Sequence, residues 1–426
     1  MTRFILADLR RLWAGSLVVV LLIAFATALG VAVTLQERAL RLGSARAADR
    51  FDLVVGAPGS ETQLLLSSVF LQPSPLPLMS GDVLGKLAAD PRVSWAAPVG
   101  FGDSFSGYPI VGTSTALTSN LSALKEGRVF SKAGEAVIGA AVTLPLGYEV
   151  KPTHGLAALG GETHTGLAYR ITGRMAPTNT SWDRAILVPI QSVWSLHGMG
   201  GHADEHDHAA EAAEVHDAEE PGHEDHAGSH AHGHIDPDAP LDENWTAEAP
   251  GLPAILVKPK TIADAYKLRQ DYRGNGTLAV FPGEVLTNLY ATLGDAKRVL
   301  SAVAIGAQIL VAAAVLMVTI MHIGQRRRQI GALRAFGAPQ SAVLAIVWLE
   351  LFILIALGIL SGFAIGYGAA MLLSAMFSGE SGIVLPVGFI RNDLNSVAAI
   401  VLFSAMLALA PALLAYRQSP AAALRA

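Results

Sequence analysis

The sequence contains no cysteine, which excludes disulfides and thiolate metal sites and leaves the redox state of its compartment unwritten in bond patterns. Charge is scarce as well: Asp, Glu, Lys and Arg make up 15% of the 426 residues, against 52% hydrophobic residues and a mean hydropathy of +0.43. A soluble chain of this length carries more charge. A net charge of −5, with no extended cluster of Lys and Arg, excludes a nucleic-acid footprint, because neutralising phosphates takes clustered cations. A phosphate-binding loop is missing too. The nearest match, Gly81-Asp-Val-Leu-Gly85-Lys86-Leu87, is one residue short and has no hydroxyl after the lysine, so it reads as a turn leading into a helix. His223-Glu-Asp-His226 places its histidines three apart rather than four, which excludes a helical metalloprotease pair, and Ser, His and Asp are too scattered to nominate a triad.

The missing charge is concentrated at the two ends of the sequence. No charged residue occurs from Leu12 to Leu35, from Val299 to Gln325 or from Leu394 to Tyr416, and Glu350 is the single charge from Ala335 to Ser378. Each run is long enough for a helix of about 20 residues to cross about 30 Å of hydrocarbon. Four transmembrane helices are expected, the third long enough to tilt or project beyond the bilayer. Basic flanks orient them. Arg3, Arg10 and Arg11 precede the first run, Arg326, Arg327, Arg328 and Arg334 join the second to the third, and Arg417 and Arg425 follow the fourth. With four crossings all three clusters fall on the cytoplasmic side, as do both ends of the sequence. A cleaved signal peptide ending near Ala45-Arg-Ala47 is the rival reading of the first run; it would leave an odd number of crossings, at odds with the charge clusters.

Between the first two runs, residues 49–295 alternate short β-branched segments with Gly and Pro, as in Phe51–Val55, Glu135–Gly139 and Ala185–Val188. This pattern predicts a mixed α/β extracytoplasmic domain. Helices are expected over Asp82–Ala89 and over Thr261–Tyr272, the latter with an apolar face of Ile262, Ala265, Tyr266 and Leu268. A segment of different composition, 197–248, lies inside the domain. Ten of the thirteen histidines fall between His197 and His234, and no Lys or Arg occurs from Ala185 to Val257. So few apolar residues predict a disordered surface insertion. Imidazole and carboxylate groups also ligate Zn²⁺, Cu²⁺ and Ni²⁺, which makes two clusters candidate metal sites: His202, His206 and His208, and His223, His226, His230, His232 and His234. A solvated acidic linker is the plainer reading.

Arg328-Gln-Ile-Gly-Ala-Leu-Arg-Ala-Phe-Gly337, with Glu350 in the next run, and Pro411-Ala-Leu-Leu-Ala-Tyr-Arg-Gln-Ser-Pro420-Ala-Ala-Ala-Leu-Arg425 resemble motifs of the FtsX-like, MacB-type permeases of ABC transporters, which include the lipoprotein-releasing permeases. Glu126-Gly-Arg-Val-Phe130, Glu135–Gly139, Tyr169-Arg-Ile-Thr-Gly173 and Asp183–Pro189 look like the periplasmic core domain of that family. The histidine-rich segment departs from the pattern. The resemblance implies a permease without enzymatic activity or a directly bound cofactor, ATP being hydrolysed by a separate ABC ATPase subunit, and it suggests a permease dimer. Ile330, Leu333 and Phe336 share one face of a short helix ringed by Arg326, Arg327 and Arg334 and ended by Gly337 and Pro339. By resemblance this helix, Arg328 included, docks on the ATPase; on its own it would equally suit a helix lying on anionic lipid.

Gly358, Gly362 and Gly366 form a flat strip for close helix packing, against the first span or a second protomer. Glu350 suits an inward-facing structural or coupling role better than proton transfer. The histidines add Zn²⁺, or a periplasmic metal-binding or cargo protein, as a candidate partner. The alternative from another class is a metal-sensing membrane receptor or scaffold without transport.

Overall fold

The computed structural model describes residue 10, residues 13–154, 167–199, 236–246, 248–292, 339–409 and 412–413, and scattered positions from 294 to 317. The chain divides into two compact units: residues 45–288 with 381–383, and the remainder.

The first unit is built on one mixed sheet. Its strands are β1 (Leu53–Gly56), β2 (Val93–Phe105), β3 (Tyr108–Thr113), β4 (Leu124–Gly127), β5 (Glu135–Ile138), β6 (Glu149–Val150), β7 (Thr153–His154), β8 (Tyr169–Met175), β9 (Ile186–Pro189), β10 (Ala254–Pro259) and β11 (Leu278–Val280). The order is β11-β1-β10-β2-β3-β9-β5-β8-β4, with β6 on β8 and β7 on β2. Pairings β3–β9 and β5–β8 are parallel and the rest antiparallel. Strands β1, β5 and β9 are buried along their whole length, which explains why they read as apolar runs rather than alternating ones. Alternate side chains of these strands, Leu53, Val55, Ala136, Ile138, Ile186 and Val188, join Leu84, Leu87, Tyr169 and Ile171 in one core cluster.

The helices of this unit follow local chemistry. One spans Asp82–Ala89, as the sequence predicts, and buries Val83, Leu84 and Leu87. Gly81 and Gly85, the glycines that imitate a phosphate loop, have a packing role: a Cβ on Gly81 would lie 2.0 Å from the Ala249 carbonyl oxygen, and one on Gly85 2.8 Å from that of Trp245. Lys86 is exposed and pairs with Asp82 at its own helix's start. Another helix, Ile262–Asp271, is capped by the Thr261 hydroxyl, which accepts from the Asp264 amide. Here one expectation is corrected. Ala265 and Leu268 are buried, but Ile262 and Tyr266 face outward, Tyr266 lying edge-on to Phe281. At about 100° per residue the four spread over about 160° of the helix, and the domain covers only the half that carries Ala265 and Leu268.

The disordered insertion is also corrected at both ends. His197 closes the helix Ile190–Leu196. Residues 236–246 and 248 lie on the domain: Lys132 bridges to Asp238 at 2.6 Å, Trp245 meets Trp194 edge-on, and the Glu243 carboxylate accepts from the amide of Thr115 at the start of the helix Thr115–Leu121. Each of these contacts offsets chain entropy that composition alone assigns to a solvated linker. Residues 200–235, which hold all eight candidate metal-ligating histidines, lie outside the described residues.

The second unit is helical. We label its elements α1 (Trp13–Ala48), α2 (Gln340–Ser381) and α3 (Arg391–Leu407). Among the described residues two helices, Trp13–Ala48 and Ser341–Ser381, are long and apolar enough to cross a membrane, and a shorter apolar helix covers Asp393–Met406. At about 1.5 Å per residue, the 42 residues of α2 extend about 60 Å, twice the hydrocarbon thickness.

Candidate functional site

A seam joins α1 to α2, and glycine makes it. A Cβ on Gly358 would lie 2.7 Å from Ile23 Cβ, one on Gly362 2.4 Å from the Ala24 carbonyl oxygen, and one on Gly366 2.6 Å from that of Ala28. Those distances leave no room for any side chain, so two backbones touch along two helical turns. In hydrocarbon, where burial of apolar groups drives nothing, such van der Waals contact is what holds helices together. Gly368, two residues further and on the far side of the same helix, has nothing within 4 Å of its Cβ position. The contacts advance in register, 358 with 20–23, 362 with 24–27 and 366 with 28–31, so α1 and α2 run parallel.

Helix α3 runs the other way. Near the start of α2, Trp348 stacks on Phe352 and donates its indole N–H to the Ala405 carbonyl near the end of α3, at 3.0 Å. Near the end of α1, Arg38 forks onto Asp393 at the start of α3 with two bonds of 2.7 Å. Both side chains are largely buried, 16% and 14% exposed. Asp393 also accepts from the Ile390 amide, so one carboxylate caps α3 and ties it to α1. Close by, Ser44 shares a hydrogen bond with Tyr290. Glu350 sits half-buried within α2. The Arg38–Asp393 clamp is not visible in the sequence: each residue reads as one of several charges just outside an apolar run.

In the α/β domain, the family-like segments meet at one end of the sheet. Gly127, at φ +78°, has the Thr172 carbonyl oxygen 2.2 Å from its Cβ position, and Gly173 has that of Arg128 at 2.3 Å, so β4 and β8 approach only because neither carries a side chain. Arg128 forks onto Glu135, which also accepts from the Ser131 amide at 2.8 Å. The guanidinium holds this buried carboxyl well below its usual range, down to about 2. Asp183, also buried, accepts from Thr178 and Asn179 and fixes the bend before β9, while Trp182 donates to the Val69 carbonyl at 3.1 Å. These residues shape the domain; none is arranged for bond-breaking chemistry.

The arginine-rich segment expected to form a docking helix, with Arg326, Arg327, Arg328, Ile330, Leu333, Arg334, Phe336 and Gly337, lies outside the described residues, as do the histidine clusters.

The chain thus carries a parallel apolar helix pair locked by a glycine seam together with a mixed α/β domain. Residues 302–420, a little over a quarter of the chain, match the family model described as FtsX-like permease C-terminal. FtsX-like permeases are non-enzymatic membrane subunits. No curated protein matches the chain. Among solved structures, the periplasmic region of MacB from Actinobacillus actinomycetemcomitans is similar at 11% identity over 57% of this chain and 95% of that one, with a TM-score of 0.33.

Proposed function

We propose that the chain is the transmembrane permease subunit of an ABC transporter, passing movements driven by a separate ATPase subunit to its extracytoplasmic domain for export, extraction or release of a substrate. The FtsX-like match over 302–420 carries this reading, because that range includes the arginine-rich segment 326–337. The helix directions support four crossings. If α1 and α2 both span the bilayer and run parallel, the chain between them must cross back once, and the uncharged run 299–325 is where it can do so. The parallel pair then leaves the cytoplasm together, and both ends of this sequence lie on the cytoplasmic side of the inner membrane.

In this reading the 326–337 helix receives the ATPase stroke and α2, which follows it directly, moves with α1 as one body. Gly358, Gly362 and Gly366 make that body stiff, and Glu350 serves structure rather than proton transfer. ATP acts on the partner subunit, two permeases pair as a dimer, and the histidine-rich segment adds Zn²⁺ or a metal-binding protein as an effector or cargo. Affinity purification of the full chain from membranes tests the assignment. An ABC ATPase should co-purify with it and be lost from a Leu333→Asp, Phe336→Asp double variant that still inserts. Undiminished ATPase in the variant preparation would remove the docking role, and a kinase or hydrolase in its place would favour the sensing scaffold.

A further inference from the structure

The extracytoplasmic domain gathers two histidines and an aspartate from three separate elements, none of them among the candidate clusters of the histidine-rich segment. Asp103 lies on β2 just past an irregularity in its pairing with β3, between Gly100 and Asp103. Its side chain is only 2% exposed. Opposite it in register on β7 is His154, whose Nδ1 is 3.5 Å from the Asp103 Oδ1. His197, closing the helix Ile190–Leu196, places Nε2 3.7 Å from the same oxygen. The three ligand atoms all lie within 4.8 Å of one another.

We propose that Asp103, His154 and His197 form a divalent transition-metal site of the zinc class. The orientation of His197 is the first argument. Its Nδ1 is 2.9 Å from the Val193 carbonyl oxygen, which can only accept, so Nδ1 carries a proton and Nε2 is the nitrogen turned toward the carboxylate, the one available to a metal. A backbone carbonyl holding the far nitrogen of an imidazole is the arrangement that prepares a histidine for a metal. The second argument is spacing. Bonds of about 2.0 Å in a tetrahedron put ligand atoms about 3.3 Å apart, and the two distances to Asp103 Oδ1 are within a few tenths of an ångström of that. Third, Gly102, next to Asp103, stands at φ +154°, a conformation that side-chain-bearing residues rarely adopt, with its Cβ position in van der Waals contact with His197 Nε2 at 3.4 Å. Two imidazoles and a carboxylate make the ligand set of an open zinc site, with a fourth position left for solvent or an incoming ligand on the side where His154 is 60% exposed. The rival account of the same cluster is a protonated histidine pairing with Asp103 and no metal.

The site stands apart from the permease reading, whose test is ATPase co-purification. It is tested on the full chain in detergent, with the histidines between 202 and 234 replaced by serine so that they contribute no binding. Zn²⁺ affinity and stoichiometry are read by competition with a chromophoric chelator. The prediction is one Zn²⁺ per chain, weakened at least about 100-fold by His154→Ala, a largely exposed position that leaves the fold intact, and by Asp103→Asn. A Zn²⁺-dependent rise in melting temperature should be present in the serine background and absent from His154→Ala, whose metal-free melting temperature is unchanged. No Zn²⁺ bound by the serine background, or equal affinity in His154→Ala, would overturn the proposal.

Discussion

The two units solve the same problem, holding non-adjacent segments in contact, with opposite chemistry. In the helical unit α1 and α2 meet backbone against backbone, through Gly358, Gly362 and Gly366, and an Arg38–Asp393 fork ties α1 to α3. In the α/β unit glycine also admits close approach, at Gly127 and Gly173, but buried polar anchors share the work: Glu135 under Arg128, Asp183 under the Thr178 bend, Trp182 on the Val69 carbonyl. The difference follows from the solvent. Water drives apolar side chains inward and lets polar groups specify the register; lipid does neither, so shape must serve. Stiffness in the helical unit should therefore respond to volume, and in the α/β unit to charge.

The largest effect is expected in the seam. Gly362→Val should lower stability by about 3 kcal/mol or more, seen as a lower melting temperature in detergent, whereas Gly368→Val, with open space at its Cβ, should change it little. Equal effects at the two positions would break the comparison. Arg38→Ala comes next, leaving a largely buried Asp393 without its fork and costing about 2 to 3 kcal/mol, with partial recovery in the charge-swapped Arg38→Asp, Asp393→Arg pair. The smallest change is at Glu135. A carboxyl whose folded pKa lies below its unfolded one stabilises the fold fully above about pH 4.5, and that contribution is lost as pH falls toward about 2. Glu135→Gln should cost about 2 kcal/mol at pH 7, discounted for the exposed side of Arg128, and should flatten the acid limb of the melting profile between those pH values.

What the sequence made legible was whatever a short window can encode. The helix at Asp82–Ala89 announces itself by its spacing and by the proline after it, and β5 and β9 by apolar runs. Composition misled at 236–248, because Trp245 and Glu243 act through single specific contacts that an average conceals. Helical periodicity overstated the buried face at Ile262 and Tyr266, since it reports which residues share a side and not how wide the surface beneath them is. The Asp103, His154 and His197 cluster was beyond reach: the three are far apart in sequence, and strand register and a helix end bring them together. His197 is the first of the ten histidines of that segment, and its composition gives no sign that this one meets His154 and Asp103.

The most direct test of the membrane account uses the absence of cysteine, which makes single introduced thiols unambiguous reporters. Lys151→Cys, Gly388→Cys and Ala332→Cys would each be labelled with a membrane-impermeant maleimide in intact spheroplasts and again after permeabilisation. Four crossings with parallel α1 and α2 predict that positions 151 and 388 react from outside and position 332 only after permeabilisation. Labelling of position 332 in intact spheroplasts, or protection of position 388, would contradict that topology and with it the proposed docking of an ATPase on residues 326–337.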